Sequence, residues 1–400
     1  MEESFFSSFY LYKEHKTLWL TSPKKAYIQY RNFRINLLSG EKYELGVSDF
    51  FEDLDQLNIG QEFEKPIVIH LLFELAYTCL DLEVKSDRNV PLAIYIEYNS
   101  VSKREIYSSD LNKINFESLS QVNLADYEER FRQVYENLLD GETYQLNLTQ
   151  PFYLRPSRVM PPEEFIQFLW QDSLKVGAYA HATYIGTLDI LFASNSPECL
   201  FQIESNSSTP RILTMPIKGT EKVVNNDFKH SWEELKNSAK NQAELFMISD
   251  LMRNDLTKLT GFPARVRHEK FPLQVPGLLH QFSVIDSRMP ENLELSKIVK
   301  TLFPGGSVTG APKKNTLRLI ERLEGYRRGF YCGSTILLYQ DRKTASINIR
   351  SAEVNYGSNE IKYGAGGGIT LQSQMDQEFE ETLNKLKSFL ILFELKKTYN

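Results

Sequence analysis

Apolar residues recur at helical spacing after Asp126, a good helix N-cap. Tyr127, Phe131, Val134 and Leu138 fall at i, i+4, i+7 and i+11 on one face, and Asp140-Gly141 supplies the stop. The next run, Tyr144 to Thr149, alternates strictly. It predicts a strand with Gln145, Asn147 and Thr149 on one face and Tyr144, Leu146 and Leu148 on the other. A polar strand face ordinarily meets solvent, and that is the expectation for Gln145 from pattern alone. Further strands are predicted at 190–194, 334–339, 345–350 and 360–363, and helices at 228–256, 313–323 and 377–395. Residues 1–120 read as strand-rich, with candidates at 26–30 and 92–98 and no polar cluster with obvious chemistry. There is neither a βαβ repeat nor an all-helical pattern. The expected fold is α+β, with large antiparallel sheets forming a β-sandwich core and helices packed outside. The expected organisation is a strand-rich region over 1–120 followed by a catalytic region over 121–400.

Composition narrows the function classes. With 400 residues, 42% hydrophobic and 24% charged, the chain can bury a large core, so disorder is excluded as its main state. The net charge of −6 and the lack of a long basic block argue against nucleic-acid binding. Cys79, Cys199 and Cys332 are far apart and form no CxxC pair, which suits a reducing compartment. Acid stands at the start, in Met1-Glu2-Glu3-Ser4-Phe5-Phe6, where a secretory signal carries base. No uninterrupted apolar run reaches about 18 residues. The expectation is a soluble cytoplasmic protein with no membrane association.

Two acidic helices suggest a metal. In the last predicted helix, Phe379, Leu383, Leu386 and Leu390 form the apolar stripe, and Glu378, Glu381 and Lys385 line one border of it at i, i+3 and i+7. That border alone reads as a solvated face. In the segment from Lys240 to Leu251, however, Glu244 has Met247, Ile248 and Leu251 at +3, +4 and +7 and so lies inside an apolar stripe. A carboxylate there needs a cation or a hydrogen-bonded role, because burying it alone costs several kcal/mol. Two such helices offer oxygen ligands of the kind Mg2+ prefers. The six histidines are scattered and form no HExxH.

Two glycine-rich segments superficially resemble nucleotide loops. Phe303-Pro304-Gly305-Gly306-Ser307-Val308-Thr309-Gly310-Ala311-Pro312-Lys313 opens a helix, but Gly310 is followed by Ala-Pro rather than Lys-Ser/Thr. Gly364-Ala365-Gly366-Gly367-Gly368 reads as a loop after a strand, with Ile369 where a dinucleotide fingerprint needs glycine. Both suit a smaller anion such as a carboxylate, with Arg350, on the polar face of the strand predicted over 345–350, providing charge.

Taken together, Pro216-Ile217-Lys218-Gly219-Thr220, the segment from Lys240 to Asp255, the Gly305–Lys313 loop, Ala365–Ile369 and Glu378–Lys385 resemble the chorismate-utilising enzymes. That family includes anthranilate, aminodeoxychorismate, isochorismate and salicylate synthases. The resemblance covers about residues 124–395 and implies a fold like that of anthranilate synthase component I. Lys218 resembles the aminodeoxychorismate branch, where anthranilate synthases typically have alanine. Gln145 stands where isochorismate and salicylate synthases have a water-activating lysine.

The resemblance implies chorismate and ammonia as substrates, Lys218 as nucleophile and Glu198, in Ser196-Pro197-Glu198, as general acid. It also implies Mg2+ held by Glu244, Glu378 and Glu381, and a separate glutamine amidotransferase subunit, since no Cys-His glutaminase segment is visible. Arg350 and Tyr331 are expected to hold the pyruvyl-ether carboxylate with the backbone of Gly366, Gly367 and Gly368, and Lys385 to face the ring carboxylate. Thr220, His280, Ser307 and Thr309 match lining positions. Two departures stand out: Asn241 occupies a position usually acidic, and Met215 stands where arginine is common. Within the same resemblance, the alternatives are an anthranilate synthase or a catalytically silent chorismate-binding protein. An unrelated Mg2+/nucleotide enzyme is the reading the two glycine segments argue against.

Overall fold

The computed structural model describes residues 5–82, 89–105, 111–120, 123–205, 209–223, 227–275 and 278–394. One antiparallel ladder runs through most of the strands. It begins at Gln145–Pro156 and passes in turn through Glu360–Ile369, Ser351–Asn355, Ile190–Ser194, His181–Ile185, Phe5–Leu11 and Lys16–Gln29. It continues through Ala93–Glu105, Phe63–Leu71, Ser334–Gln340, Arg342–Ile347, Cys199–Glu204 and Arg211–Met215 to Leu278–Arg288. The last strand also pairs with Ile217–Lys222 and Arg265–Val275. Strands from either side of residue 120 are therefore hydrogen-bonded to one another, through Phe5–Leu11 with His181–Ile185 and Phe63–Leu71 with Ser334–Gln340.

The core follows from this layering. Phe5, Leu20, Ile28, Val68, Ile94, Phe192 and Leu337, all from strands, pack together as the layer between sheet faces. Helices close the outer faces. Val47–Asp55, Leu124–Leu139, Ala239–Thr260, Leu295–Leu302 and Lys313–Glu324 cover one, with Phe50, Phe131, Ile248, Ile298 and Leu317 buried beneath them. Pro162–Trp170 and Met375–Leu390 cover another, through Phe165, Trp170 and Phe389. This is the expected α+β arrangement of large antiparallel sheet and outer helices. Among the described residues no helix is long and apolar enough to cross a membrane.

Local differences from the expected elements have local causes. The helix predicted from Asp126 begins at Leu124, because the Asn123 side chain accepts from the Ala125 N–H at 3.0 Å and takes the cap. The helix predicted over 228–256 is two, Phe228–Asn237 and Ala239–Thr260. Ser238 leaves helical geometry between them and its hydroxyl accepts from the Asn241 N–H. The last helix is Met375–Leu390 followed by a tight turn over Ile391–Phe393, and the predicted end at 395 lies outside the described residues. The strand predicted over 345–350 stops at Ile347, and Arg350 sits beyond it in the left-handed region at φ 51°. Arg350 is thus not on a strand face. Most consequentially, Gly364 to Gly368 form no loop. They lie within the Glu360–Ile369 strand, paired residue for residue with Gln145–Pro156.

Candidate active site

The polar face of the Gln145–Pro156 strand does not meet solvent. Gln145, Asn147 and Thr149 are buried, on a strand paired with the glycine strand along its length and with Gly310-Ala311 at its start. Gln145 is fully buried with both ends of its amide unpartnered, a costly arrangement that points to a ligand. A Cβ built on Gly368 would lie 2.6 Å from Gln145 Nε2 and 3.0 Å from Lys218 Nζ. The two side chains therefore converge over a glycine that must stay bare to admit them.

Lys218 reaches this point from the Ile217–Lys222 strand, which pairs with Leu278–Arg288 in the register Lys218 to Gln281 and Thr220 to His280. The irregularity between those pairs is Gly219, at φ 80°. Its missing side chain leaves room for Asn241, whose Cγ would be 3.1 Å from a Cβ there. The Thr220 side chain lies outside the described set.

Glu198 is buried within electrostatic reach of Lys218. Desolvation pushes its carboxyl up to about 7, against the lowering effects of the Ser307 hydroxyl, the Lys218 ammonium and the Ile217 N–H. The Ser307 hydroxyl lies beside it too loosely for a well-formed hydrogen bond. A carboxyl that keeps its proton up to about pH 7 is suited to proton donation to a leaving group. The Thr309 hydroxyl donates to the Gly305 carbonyl at 2.8 Å and ties the loop together. That loop is wedged between neighbours: a Cβ on Gly305 or Gly306 would meet Ile347 or Leu251 at 2.5 Å.

A second group forms around His280. Its Nδ1 donates to the Gly219 carbonyl at 3.3 Å, leaving Nε2 to accept from Arg350 Nη2 at 2.7 Å. Burial, and then the Arg350 guanidinium, push the imidazole down to about 3. His280 is thus a neutral orienter of Arg350. Lys385 and Glu381 act on the same imidazole through their charges, which puts the last helix at this side of the site. Lys385 Nζ donates to the Gly366 carbonyl at 2.5 Å and pairs with Glu381 at 2.8 Å. Tyr331 packs its ring on Gly364, 2.2 Å from where a Cβ would stand.

The buried Glu378 carboxylate accepts from Ser373 Oγ at 2.7 Å, and its other oxygen would lie 3.1 Å from a Cβ on Gly367. Glu378 and Glu381 present hard oxygen donors beside the glycine strand, and that chemistry fits Mg2+. Glu244 stands half-buried on the Ala239–Thr260 helix, one turn beyond Asn241. Among the described residues no three His, Cys, Asp or Glu side chains are gathered closely enough to hold an ion by themselves.

Residues 74–391 match the family of chorismate binding enzymes. The chain belongs to that family. The match begins some fifty residues before the segment in which the motifs are readable. Aminodeoxychorismate synthase component 1 of Escherichia coli (strain K12) is 36% identical over 278 residues, covering 68% of this chain and 58% of the relative. An anthranilate synthase component 1 of Haloarcula marismortui is 32% identical over 270 residues, covering 66% and 53%. The chain thus spans little more than half the length of these curated relatives. The crystal structure of anthranilate synthase component I from Streptococcus pneumoniae TIGR4 has a TM-score of 0.76 at 20% identity, covering 94% of this chain and 92% of that one, and shares the fold.

Among chorismate binding enzymes this chain also has features its motifs did not announce. Glu324 and Arg328, buried at i and i+4, look in sequence like a surface pair. A cavity of about 730 Å3 lined by Tyr10, Tyr179, His181, Gln202 and Lys343 contains none of the residues singled out from sequence.

Proposed function

We propose that this chorismate binding enzyme is the large component of an aminodeoxychorismate synthase, converting chorismate and ammonia to 4-amino-4-deoxychorismate and water for 4-aminobenzoate and folate synthesis. The observation that carries the reading is the meeting of Lys218 Nζ and the Gln145 amide over Gly368, with the buried Glu198 near enough to feel the charge of the lysine. In this reading the Lys218 amine bonds to C2 of the ring as both ring double bonds shift and the C4–O bond to the hydroxyl breaks. Glu198 gives its proton to that hydroxyl, which departs as water, and recovers one from the alkylated lysine. Ammonia then adds at C4 as both ring double bonds shift back; Glu198 protonates the lysine nitrogen as its bond to C2 breaks, and the new C4 ammonium returns a proton to Glu198. The neutral Gln145 beside Lys218 offers no base to activate water in ammonia's place.

Arg350, oriented by His280, and Tyr331 are assigned to the pyruvyl-ether carboxylate with the backbone of Gly366 to Gly368, and Lys385 to the ring carboxylate. Mg2+, held by Glu378 and Glu381 with Glu244, would supply Lewis-acid charge at that ring carboxylate. Ammonia would come from a separate glutamine amidotransferase subunit, in keeping with the component 1 name of the Escherichia coli relative. A cytoplasmic location accords with three free cysteines among the described residues.

The test is to incubate the purified chain with chorismate, Mg2+ and ammonium at alkaline pH and identify the product by mass. Protein quenched without ammonia should carry a covalent adduct mapping to Lys218 that Lys218→Ala lacks. Glutamine should not replace ammonium until an amidotransferase subunit is added. The second reading, anthranilate synthase, is favoured by the Haloarcula relative and is distinguished by fluorescent anthranilate and released pyruvate.

A further inference from the structure

Arg328 is 1% exposed, and every nitrogen of its guanidinium is engaged. Nε and Nη2 grip Glu324 as a fork at 2.8 and 2.7 Å. Nη1 donates to the Val308 carbonyl at 2.6 Å, and Nη2 donates also to the Asn147 carbonyl at 2.7 Å. Glu324 Oε1 in turn accepts from the Thr149 N–H at 2.8 Å and the Thr149 hydroxyl at 2.9 Å. The guanidinium carbon sits 4.4 Å over the Phe73 ring, which fixes its plane.

The two carbonyls belong to different edges of the site. Val308 separates Ser307, beside Glu198, from Thr309. Asn147 lies two residues along the strand from Gln145 and pairs with Gly368, over which Lys218 arrives. One further bond, from the Asn147 N–H to the Thr309 carbonyl at 2.8 Å, joins the same segments. Arg328 therefore spans the acid edge and the amine edge without reaching either group.

We infer that Arg328, held by Glu324, is a positioning residue that sets the spacing between the Ser307–Glu198 edge and the Gln145–Lys218 edge. The inference rests on the chorismate-converting function proposed above. Stability is a poor reason for such a pair, because taking both charges out of water offsets most of their attraction and an apolar pair of the same volume packs as well. Holding two carbonyls from separate segments in fixed directions needs a planar fork. Lysine, a single point of charge, cannot reproduce it.

The test compares full-length R328K and E324Q with wild type for chorismate consumption with ammonium and Mg2+, the pH profile of kcat, and thermal melting. With both variants folded at the assay temperature, kcat should fall at least about tenfold while KM stays within about threefold, because geometry rather than binding is lost. The pH limb set by Glu198 should move upward, since a displaced Ser307 no longer lowers that carboxyl. Folded variants with wild-type kcat and pH limb overturn the inference, as do variants that lose only melting temperature. Failure of both to fold also overturns it, by assigning the pair to stability alone. A wild-type chain that consumes no chorismate removes the functional reading first, an outcome visible before any variant is compared.

Discussion

Glu198 sets function against stability in one side chain. Its carboxyl titrates at about 7 in the folded protein, whereas an ordinary glutamate titrates near 4.5. The folded state therefore binds this proton more tightly, so stability falls as pH rises from about 4.5 to about 7 and then levels off. The deficit amounts to about 3 kcal/mol. Glu198→Gln should abolish most turnover yet raise unfolding free energy at pH 8 relative to wild type, with the gain disappearing at pH 4. Urea titrations at both pH values check it, and a variant less stable than wild type at pH 8 sinks the assignment. A general acid must also hold its proton, so kcat should decline above about 7 at saturating ammonia. At Gly368 the added methyl of Gly368→Ala meets the ends of two flexible side chains rather than backbone. They can yield, but only by leaving their meeting point. Turnover should drop by about 10²-fold, as displacements near 1 Å commonly cause, with little change in a thermal melt.

Among the elements, helices were the most legible from sequence and the glycine strand the least. Tyr127, Phe131, Val134 and Leu138 are all buried as their spacing predicts, because a helix face is a local property. Nothing local explains Gly364, Gly366 or Gly368. Each is bare because something from elsewhere comes close: the Tyr331 ring, the Leu148 carbonyl, and the Gln145 and Lys218 side chains. Gly364→Ala should therefore cost about 1–3 kcal/mol of stability as the Tyr331 ring is forced aside. Chemical denaturation would measure the loss, and an unaffected midpoint would contradict the packing described. The motif residues Lys218, Glu198 and Gln145 were found by resemblance rather than periodicity, and the buried Arg328–Glu324 pair was missed because its i, i+4 spacing is that of any exposed pair. On the last helix, Glu381 is half-exposed and paired with Lys385, so its removal should spare the fold. Glu381→Gln, like Glu244→Gln, should lower turnover by about 10–100-fold at limiting Mg2+. Near-normal rates at low Mg2+ for both variants would dismiss the metal assignment.

At the scale of the whole molecule, a buried polar network ties the early chain to the late. The Ser7 hydroxyl bonds Tyr98 and Thr183, each at 2.7 Å, and His70 bonds Thr183 and Thr335, each at 2.9 Å. His181 stacks between Phe9 and His70 with its Nε2 unpartnered. Residues so far apart in sequence gave no signal of this, since the network exists only once the strands are paired. Burial keeps both imidazoles neutral: His70 titrates well below its ordinary value, with His181 adding to the effect, and His181 is lowered to about 4. A histidine that resists protonation in the folded state gains its proton on unfolding. The stability these histidines contribute is thus intact above about 6.5 and is lost as pH falls toward the folded value; His181 alone accounts for about 3 kcal/mol by pH 4. Because the two rings join strands from both sides of residue 120, this loss should loosen the ladder as one unit. Glu198 acts in the opposite direction over the same range, so the measurement belongs in the Glu198→Gln background, where urea unfolding followed by tryptophan fluorescence and by circular dichroism should give coincident transitions whose midpoints fall together between pH 7 and pH 4.5. His181→Phe, which keeps the stack and removes the titration, should flatten that dependence. Two separated transitions, or an acid dependence unchanged in the variant, would place the acid sensitivity elsewhere in the fold.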